Sequence, residues 1–229
     1  MTCAVAAAIV YPTLLTLLYF VGLRHAPSAV QQGVYGGGKI VQFLFPWLIC
    51  GCTWKLLAAD RPIRRRDLAW GLATGILMAG GLLALYFGVA KSSPLLAPAA
   101  EQVTGKVQGF GITGPGAYFL LAAFYAIGHS LLEEYYWRWF VFGQLRNRWP
   151  LGPAIVVSSL GFMAHHVVVL ATFFGGVNVP AIVCSLGVGL GGVVWAWMYH
   201  RSGALGGVWL SHACVDAAIF IAGYNILWP

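Results

Sequence analysis

Long apolar runs separated by short polar loops make up most of the chain. A helix that crosses the hydrocarbon core of a bilayer needs about 20 apolar residues, and seven runs reach that length. The pattern predicts an all-α, polytopic membrane helix bundle of about seven to eight transmembrane helices, which form a single transmembrane domain over residues 1–229. The predicted spans cover residues 3–23, 40–59, 68–90, 116–143, 154–174, 179–199 and 204–227.

Several features outside this repeat refine the prediction. The first run lacks the basic start of a signal peptide and is therefore interpreted as the first span. Residues 91–115 form the one long loop, which we expect either to contain a short interfacial helix or a lid, or to hide an eighth span. Tryptophans near span ends are typical of interfacial belts, and the glycines of SLGVGLGG predict a helix-packing face. The tryptophans concerned are Trp47, Trp70, Trp149, Trp195, Trp197 and Trp228.

Composition supports a membrane protein and limits its partners. Hydrophobic residues make up 60% of the chain and charged residues only 8%, whereas a soluble domain carries roughly a quarter charged residues. The net charge of +7 indicates cytoplasmic loops and anionic membrane lipid, not nucleic acid. Arginines are concentrated in the second, fourth and sixth loops, which predicts that these loops, and the N-terminus, face the cytoplasm.

Ionisable side chains inside the spans are the candidates for chemistry, because each is costly in a bilayer. Lys55 lies near a span end, where it can reach the interface. The other eight fall in the spans 116–143, 154–174 and 204–227. They are His129, Glu133, Glu134, Arg138, His165, His166, His212 and Asp216.

Depth places several of these residues together. Glu133 lies 13 residues before Arg146, at the end of its helix, and His166 lies 13 residues after Pro153, where the next helix begins; His212 and Asp216 lie 9 and 13 residues after Gly203. At the rise of an α-helix, all four are about 14–20 Å from one membrane face. Three helices are therefore predicted to bring carboxylates and imidazoles to one site near the midplane.

Helical spacing then sorts the partners. Residues four apart share a face, so Glu134 is predicted to form a structural ion pair with Arg138. Glu133 points about 100° away, shares a face with His129, and is predicted to lack a cation. His212 and Asp216 are also four apart and can pair. Of the adjacent His165 and His166, at most one is expected to point into the site.

Three motifs in this order resemble the CPBP family, the CAAX proteases and bacteriocin-processing proteins, also called Abi-type intramembrane proteases. The first motif, EExxxR, is Glu133-Glu134-x-x-x-Arg138. The second, FxxxH, runs from Phe162 to His166, and the third, HxxxN or HxxxD, is His212 to Asp216. The motifs lie in a catalytic core predicted over residues 116–227.

The resemblance implies a glutamate-dependent, metal-independent endopeptidase without a cofactor. By analogy, Glu133 and His166 activate a water, and His212 with the residue at position 216 stabilises the oxyanion. Glu134 and Arg138 hold the base in place, and Phe162 and His165 count as supporting residues. An aspartate at position 216 departs from the asparagine of other members: it donates a hydrogen bond only when protonated, and otherwise orients His212.

Other functions remain open on the sequence alone. A zinc hydrolase could chelate through His129 and Glu133, although no HExxH motif is present. A proton-coupled transporter could use the same Glu, His and Asp residues, and a non-catalytic membrane partner protein could keep them for packing. For a protease, the expected partners are membrane lipid and peptide or protein substrates, either prenylated or leader peptides. The expected location is the inner membrane of a bacterium or the endoplasmic reticulum of a eukaryote.

Overall fold

The computed structural model of the chain describes residues 2–49 and 61–229. Every regular element in these two ranges is a helix, which confirms the predicted all-α membrane bundle. The second half of the predicted span 40–59, together with Lys55, lies outside the described residues.

Eight helices follow one another along the described chain. Three of them, α1, α3 and α5, also contain short π-helical stretches. The helices are α1 (Thr2–Leu17, extended by Leu18–Gly22), α2 (Ser28–Ile49), α3 (Arg65–Leu85, extended by Tyr86–Ala90), α4 (Ala97–Gly109), α5 (Pro115–Arg146), α6 (Leu151–Phe173), α7 (Val179–Ser202) and α8 (Leu205–Leu227).

Six of the described helices are long and apolar enough to cross a membrane, namely α1, α3, α5, α6, α7 and α8. They match six of the seven predicted spans within a few residues. The other predicted span, 40–59, overlaps the end of α2, which begins twelve residues earlier at Ser28. Hydropathy detects only the apolar part of a helix, and the glycines and glutamines before Lys39 lower the mean hydropathy without breaking the helix.

The long loop 91–115 contains a short helix, as one of the two predictions for it required. Helix α4 has 13 residues and is therefore about 20 Å long, which is less than the roughly 30 Å of a hydrocarbon core. An eighth span inside this loop, the other prediction, is thus wrong.

Close backbone contacts between small residues hold the bundle together. A Cβ on Gly71 of α3 would overlap the carbonyl of Gly207 on α8, and one on Gly75 would lie 2.9 Å from Ser211 Cα. On the predicted glycine face of α7, a Cβ on Gly192 would lie 3.1 Å from Ser159 of α6. Small residues of this kind let membrane helices approach closely, and they bring α6, α7 and α8 together around α5.

Helix α5 has an irregular backbone at the centre of the bundle. An α-helical turn, Ser130–Glu134, lies between two π-helical stretches, Phe124–His129 and Tyr135–Phe142. The second stretch supplies much of the buried core, including Tyr136, Trp137 and Phe140. π-Helical turns are rare and are frequent at functional sites, and here they flank the two adjacent glutamates.

Candidate active site

The two glutamates of α5 are both buried but have different neighbours. Glu133 is 2% exposed and Glu134 is fully buried. Because they are adjacent on a helix, their side chains leave the backbone about 100° apart. Each carboxylate therefore belongs to its own group of side chains, and in the described part of the chain only His212 lies within ion-pair distance of both.

Glu134 belongs to an ion-pair group, which consists of Glu134, Arg138 and His212. Arg138 Nε lies 3.1 Å from Glu134 Oε2, so the predicted ion pair is present. His212 Nδ1 donates a hydrogen bond of 2.8 Å to Glu134 Oε1, since a carboxylate oxygen accepts. The guanidinium of Arg138 also lies over the ring of Phe162, with Cζ 4.7 Å from the ring centroid. His212, the second partner of Glu134, lies on α8, and this contact was not predicted.

Glu133 belongs to a histidine group, which consists of Glu133, His165 and His166. Its Oε1 lies 3.5 Å from His165 Nε2 and 3.9 Å from His129 Nε2, and its Oε2 lies 3.9 Å from His212 Nε2. Among the described residues, no ion pair joins Glu133 to a lysine or arginine, as the helical spacing predicted.

Both histidines of the pair on α6 lie at this group, so the expectation that at most one would face the site is wrong. Each offers a ring nitrogen within 4.8 Å of Glu133 and of the other histidine. Adjacent residues of a helix point about 100° apart. Glu133 lies between the directions in which His165 and His166 point, so both side chains reach it. His165 is 4% exposed and stacks parallel to Trp137, whereas His166 is half-buried.

Hydrogen bonding fixes the tautomer of His166. Its Nδ1 lies 2.9 Å from the carbonyl oxygen of Phe162, which can only accept, so Nδ1 carries the proton. The Nε2 lone pair therefore remains available to a proton or a ligand. The ring of Phe162, 1% exposed, contacts His165, His166 and His212 and fills the space between the two groups.

His212 and Asp216 of α8 form the pair predicted from their spacing. His212 Nε2 lies 3.5 Å from Asp216 Oδ1, and Nδ1 is bonded to Glu134. Both ring nitrogens thus face carboxylate oxygens, which in the ionised form accept hydrogen bonds and donate none. The doubly protonated imidazolium is the form that satisfies both neighbours.

Trp195 of α7 holds the ring of His212, which corrects its assignment to an interfacial belt. The indole is 3% exposed and stacks on the imidazole with ring centroids 4.1 Å apart. Its Nε1 donates a hydrogen bond of 3.1 Å to Ser211 Oγ. Trp197, two residues later, is 52% exposed and fits the belt prediction. The spacing of two places these tryptophans on different faces of α7.

Lys39 of α2 is a further residue that the sequence reasoning missed. It lies one residue outside the predicted span 40–59 but within α2. Its ammonium is 5.6 Å from the centroids of Tyr35 and Phe43, and it interacts electrostatically with Glu133. Phe43 in turn contacts the rings of His129 and Tyr136. The signal available in the sequence was a cation one helical turn before an aromatic residue, Phe43.

Residues 115–218 match a family model described as type II CAAX prenyl endopeptidase Rce1-like. This part of the chain, 104 of its 229 residues, is similar to an Rce1-like domain. The domain contains all three motifs, from Glu133 to Asp216, and confirms the resemblance to the CPBP family. Searches of curated proteins and of solved structures found no match to the chain.

The Rce1-like domain and the six apolar helices together support a CAAX-type intramembrane protease. The chain is an integral membrane protein, and a protease of this family acts on a peptide or protein substrate in a membrane environment. The match favours neither the transporter nor the non-catalytic partner protein.

Proposed function

We propose that the chain is an intramembrane endopeptidase in which Glu133 and His166 activate a water molecule. The observation that carries the proposal is the environment of Glu133: a buried carboxylate, without an arginine or lysine ion pair among the described residues, that faces imidazoles from α6 and α8. Such a carboxylate can accept a proton and later return it.

The separation of Glu133 and His166 suits a water held between them. Their nearest ligand atoms lie within 4.8 Å of each other. Two hydrogen bonds of about 2.8 Å that meet at one water oxygen span about 4.5–5 Å. Glu133 takes a proton from this water while the water oxygen attacks the scissile carbonyl carbon. The same proton then passes from Glu133 to the departing amine.

His212 is placed to stabilise the oxyanion that forms in this attack. Its Nε2 lies between Glu133 Oε2 and Asp216 Oδ1, at 3.9 and 3.5 Å. An N–H group in this position donates to the developing negative charge. A carboxylate at position 216 cannot donate a hydrogen bond as an asparagine amide does. Asp216 instead keeps the imidazolium of His212 charged and oriented.

Glu134 and Arg138 act as positioning residues. The hydrogen bond from His212 Nδ1 to Glu134 links α8 to α5, and the ion pair with Arg138 fixes the Glu134 side chain in turn. Because Glu134 is adjacent to Glu133, this arrangement sets the position of the base relative to the oxyanion donor. Positioning of this kind contributes several kcal/mol to rate enhancements, roughly 7–11 at most.

The family description supports a prenylated substrate. A type II CAAX prenyl endopeptidase would cleave a C-terminal peptide that carries a prenylated cysteine, and the bilayer would hold the lipid while the peptide reaches the site. A leader peptide without a lipid is the second substrate class in the test below.

The proposal is tested by cleavage of synthetic peptides by the full chain in liposomes. Glu133→Gln removes the base with almost no change in shape, and the cleavage rate should fall by about 10²–10⁴-fold, the usual contribution of a general base. Glu101→Gln, at an exposed position on α4, is the matched control and should cleave like the wild type. Prenylated and unprenylated forms of one peptide, together with a leader peptide, identify the substrate class.

Wild-type activity in the Glu133→Gln protein would overturn the mechanism. Thermal unfolding of both variants in detergent separates loss of chemistry from loss of fold. If the wild type cleaves none of the three peptides, the proposed substrate classes are wrong.

A further inference from the structure

His165 has unused hydrogen-bonding capacity. It is 4% exposed, and among the described residues neither of its ring nitrogens has a hydrogen-bond partner. Its nearest charged contact is Glu133 Oε1, at 3.5 Å from Nε2. Buried polar atoms in proteins are nearly always bonded to something. The water proposed above uses Glu133 and His166 and leaves His165 without a role.

The three side chains of the histidine group together have the composition of a zinc-binding set. One carboxylate oxygen and two imidazole nitrogens lie within 4.8 Å of one another. Two ligands of a tetrahedral zinc ion, bound at about 2.0–2.2 Å, are about 3.4 Å apart. Movements of about 1 Å by these side chains would therefore bring them to bonding distance.

The surroundings of the two histidines orient them as metal ligands. His166 donates its Nδ1 proton to the Phe162 carbonyl, which leaves Nε2 to bind. Ligating histidines almost always make such a bond with their other nitrogen. His165 is held by parallel stacking on Trp137, with an angle of 1° between the rings. Both rings are thus fixed by neighbours that would not compete for the ion.

We infer that Glu133, His165 and His166 form a reversible binding site for a zinc ion, and that the bound ion inhibits peptide hydrolysis. The ion would occupy the lone pairs of Glu133 and His166, so neither could activate a water. The inhibitory part rests on the proposed function, whereas binding stands on the geometry alone. Three protein ligands leave one position of a tetrahedral ion for water.

Binding is measured first, without reference to activity. The full chain in detergent is stripped with a chelator, dialysed against zinc, and analysed for bound metal; cobalt serves as a spectroscopic probe of the same site. We expect one ion per chain. Zinc affinity should fall by more than about 10–100-fold in His165→Ala and His165→Gln. Removing the hydrogen-bond partner of a metal ligand already costs about that much, and removing the ligand itself should cost more. His200→Ala, at an exposed histidine at the end of α7, is the matched control and should bind like the wild type.

Two outcomes would overturn the site: no bound zinc in the wild type, or equal affinity in the wild type and both His165 variants. Thermal unfolding and size-exclusion profiles check that the variants fold. If both variants unfold, pulsed electron paramagnetic resonance on copper-loaded wild type decides instead. Two coupled imidazoles support the site, and one or none overturns it.

Cleavage assays then test inhibition. Zinc should abolish wild-type cleavage at the concentrations that fill the site, and a chelator should restore it. Zinc that binds and accelerates cleavage would overturn both the inhibitory role and the metal-free mechanism. Binding by a protein that cleaves no peptide even with a chelator present would overturn the proposed function and leave the zinc site standing.

Discussion

Two adjacent glutamates on one turn of α5 have opposite environments. Glu134 is held by a guanidinium at 3.1 Å and by an imidazole at 2.8 Å. Glu133 has only imidazole neighbours within ion-pair distance among the described residues, the nearest at 3.5 Å. The ion-pair group is thus closely bonded, whereas the histidine group is loosely spaced and can admit a small molecule or an ion.

The difference shows how a membrane helix can combine rigidity and reactivity within two residues. A buried charge without a partner is expensive, so a reactive carboxylate needs a rigid neighbourhood that keeps it in place. The ion-pair group provides this rigidity from the adjacent residue. The helical offset of about 100° keeps the Arg138 guanidinium away from Glu133.

The sharpest way to break this comparison is to remove the charge of the bonded glutamate. In Glu134→Gln, Arg138 stays fully buried and loses its counter-ion. Breaking a buried ion pair on one side costs about 3–5 kcal/mol, so the free energy of unfolding in mixed detergent should fall by that amount. Glu133→Gln removes no such ion pair and should change the stability much less.

A double variant is the control for this interpretation. In Glu134→Gln combined with Arg138→Met, no charge is left uncompensated, and part of the lost stability should return. Equal losses in the single and double variants would show that the ion pair does not explain the stability.

His212 lies within ion-pair distance of both glutamates, and its replacement tests how the two groups are joined. We expect His212→Gln to lower the turnover rate by about 10²–10³-fold, the usual effect of removing an oxyanion donor. Peptide cleavage under saturating substrate is the measurement. The exposed His200, changed to Gln, serves as the control, and an unchanged rate in His212→Gln would remove His212 from the mechanism.

Asp216 should tolerate an amide better than the loss of its polar group. The amide oxygen of Asp216→Asn can accept from His212 Nε2, and its NH₂ group can donate to an oxyanion. The cleavage rate of Asp216→Asn should stay within about tenfold of the wild type. Asp216→Ala should lose about as much activity as His212→Gln, which removes an oxyanion donor. If the two variants are equally impaired, the charge of the carboxylate is what matters.

The smallest effect is expected at Trp195. Trp195→Phe keeps an aromatic ring against His212 but loses the hydrogen bond to Ser211 Oγ and part of the buried indole. The expected loss is about 0.5–1.5 kcal/mol of stability, measured by unfolding in detergent. Trp197→Phe, at an exposed position, should change stability less; an equal loss would show that the Ser211 bond contributes nothing.

Much of this arrangement could be predicted from the sequence, because a bilayer restricts the choices. Apolar length set six spans correctly, and counting residues from span ends put Glu133, His166, His212 and Asp216 at one depth. The pairing of Glu134 with Arg138 also followed, since it depends only on the geometry of a single helix.

Contacts between helices could not be predicted in the same way. The bond from His212 to Glu134, the stacking of Trp195 on His212 and the entry of both His165 and His166 all depend on how each helix is rotated about its axis. Lys39 was missed for a related reason: hydropathy placed the helix boundary at residue 40, so a cation inside α2 was interpreted as part of a loop.

Gly71 and Gly75 have a consequence for the chemistry. They let α3 touch the backbone of α8 at Gly207 and Ser211, directly before His212, and so set how far α8 can stand from its neighbours. A displacement of about 1 Å would break the 2.8 Å bond between His212 and Glu134. Two positions without a side chain, Gly71 and Gly75, thus limit how much the distance between His212 and Glu134 can vary.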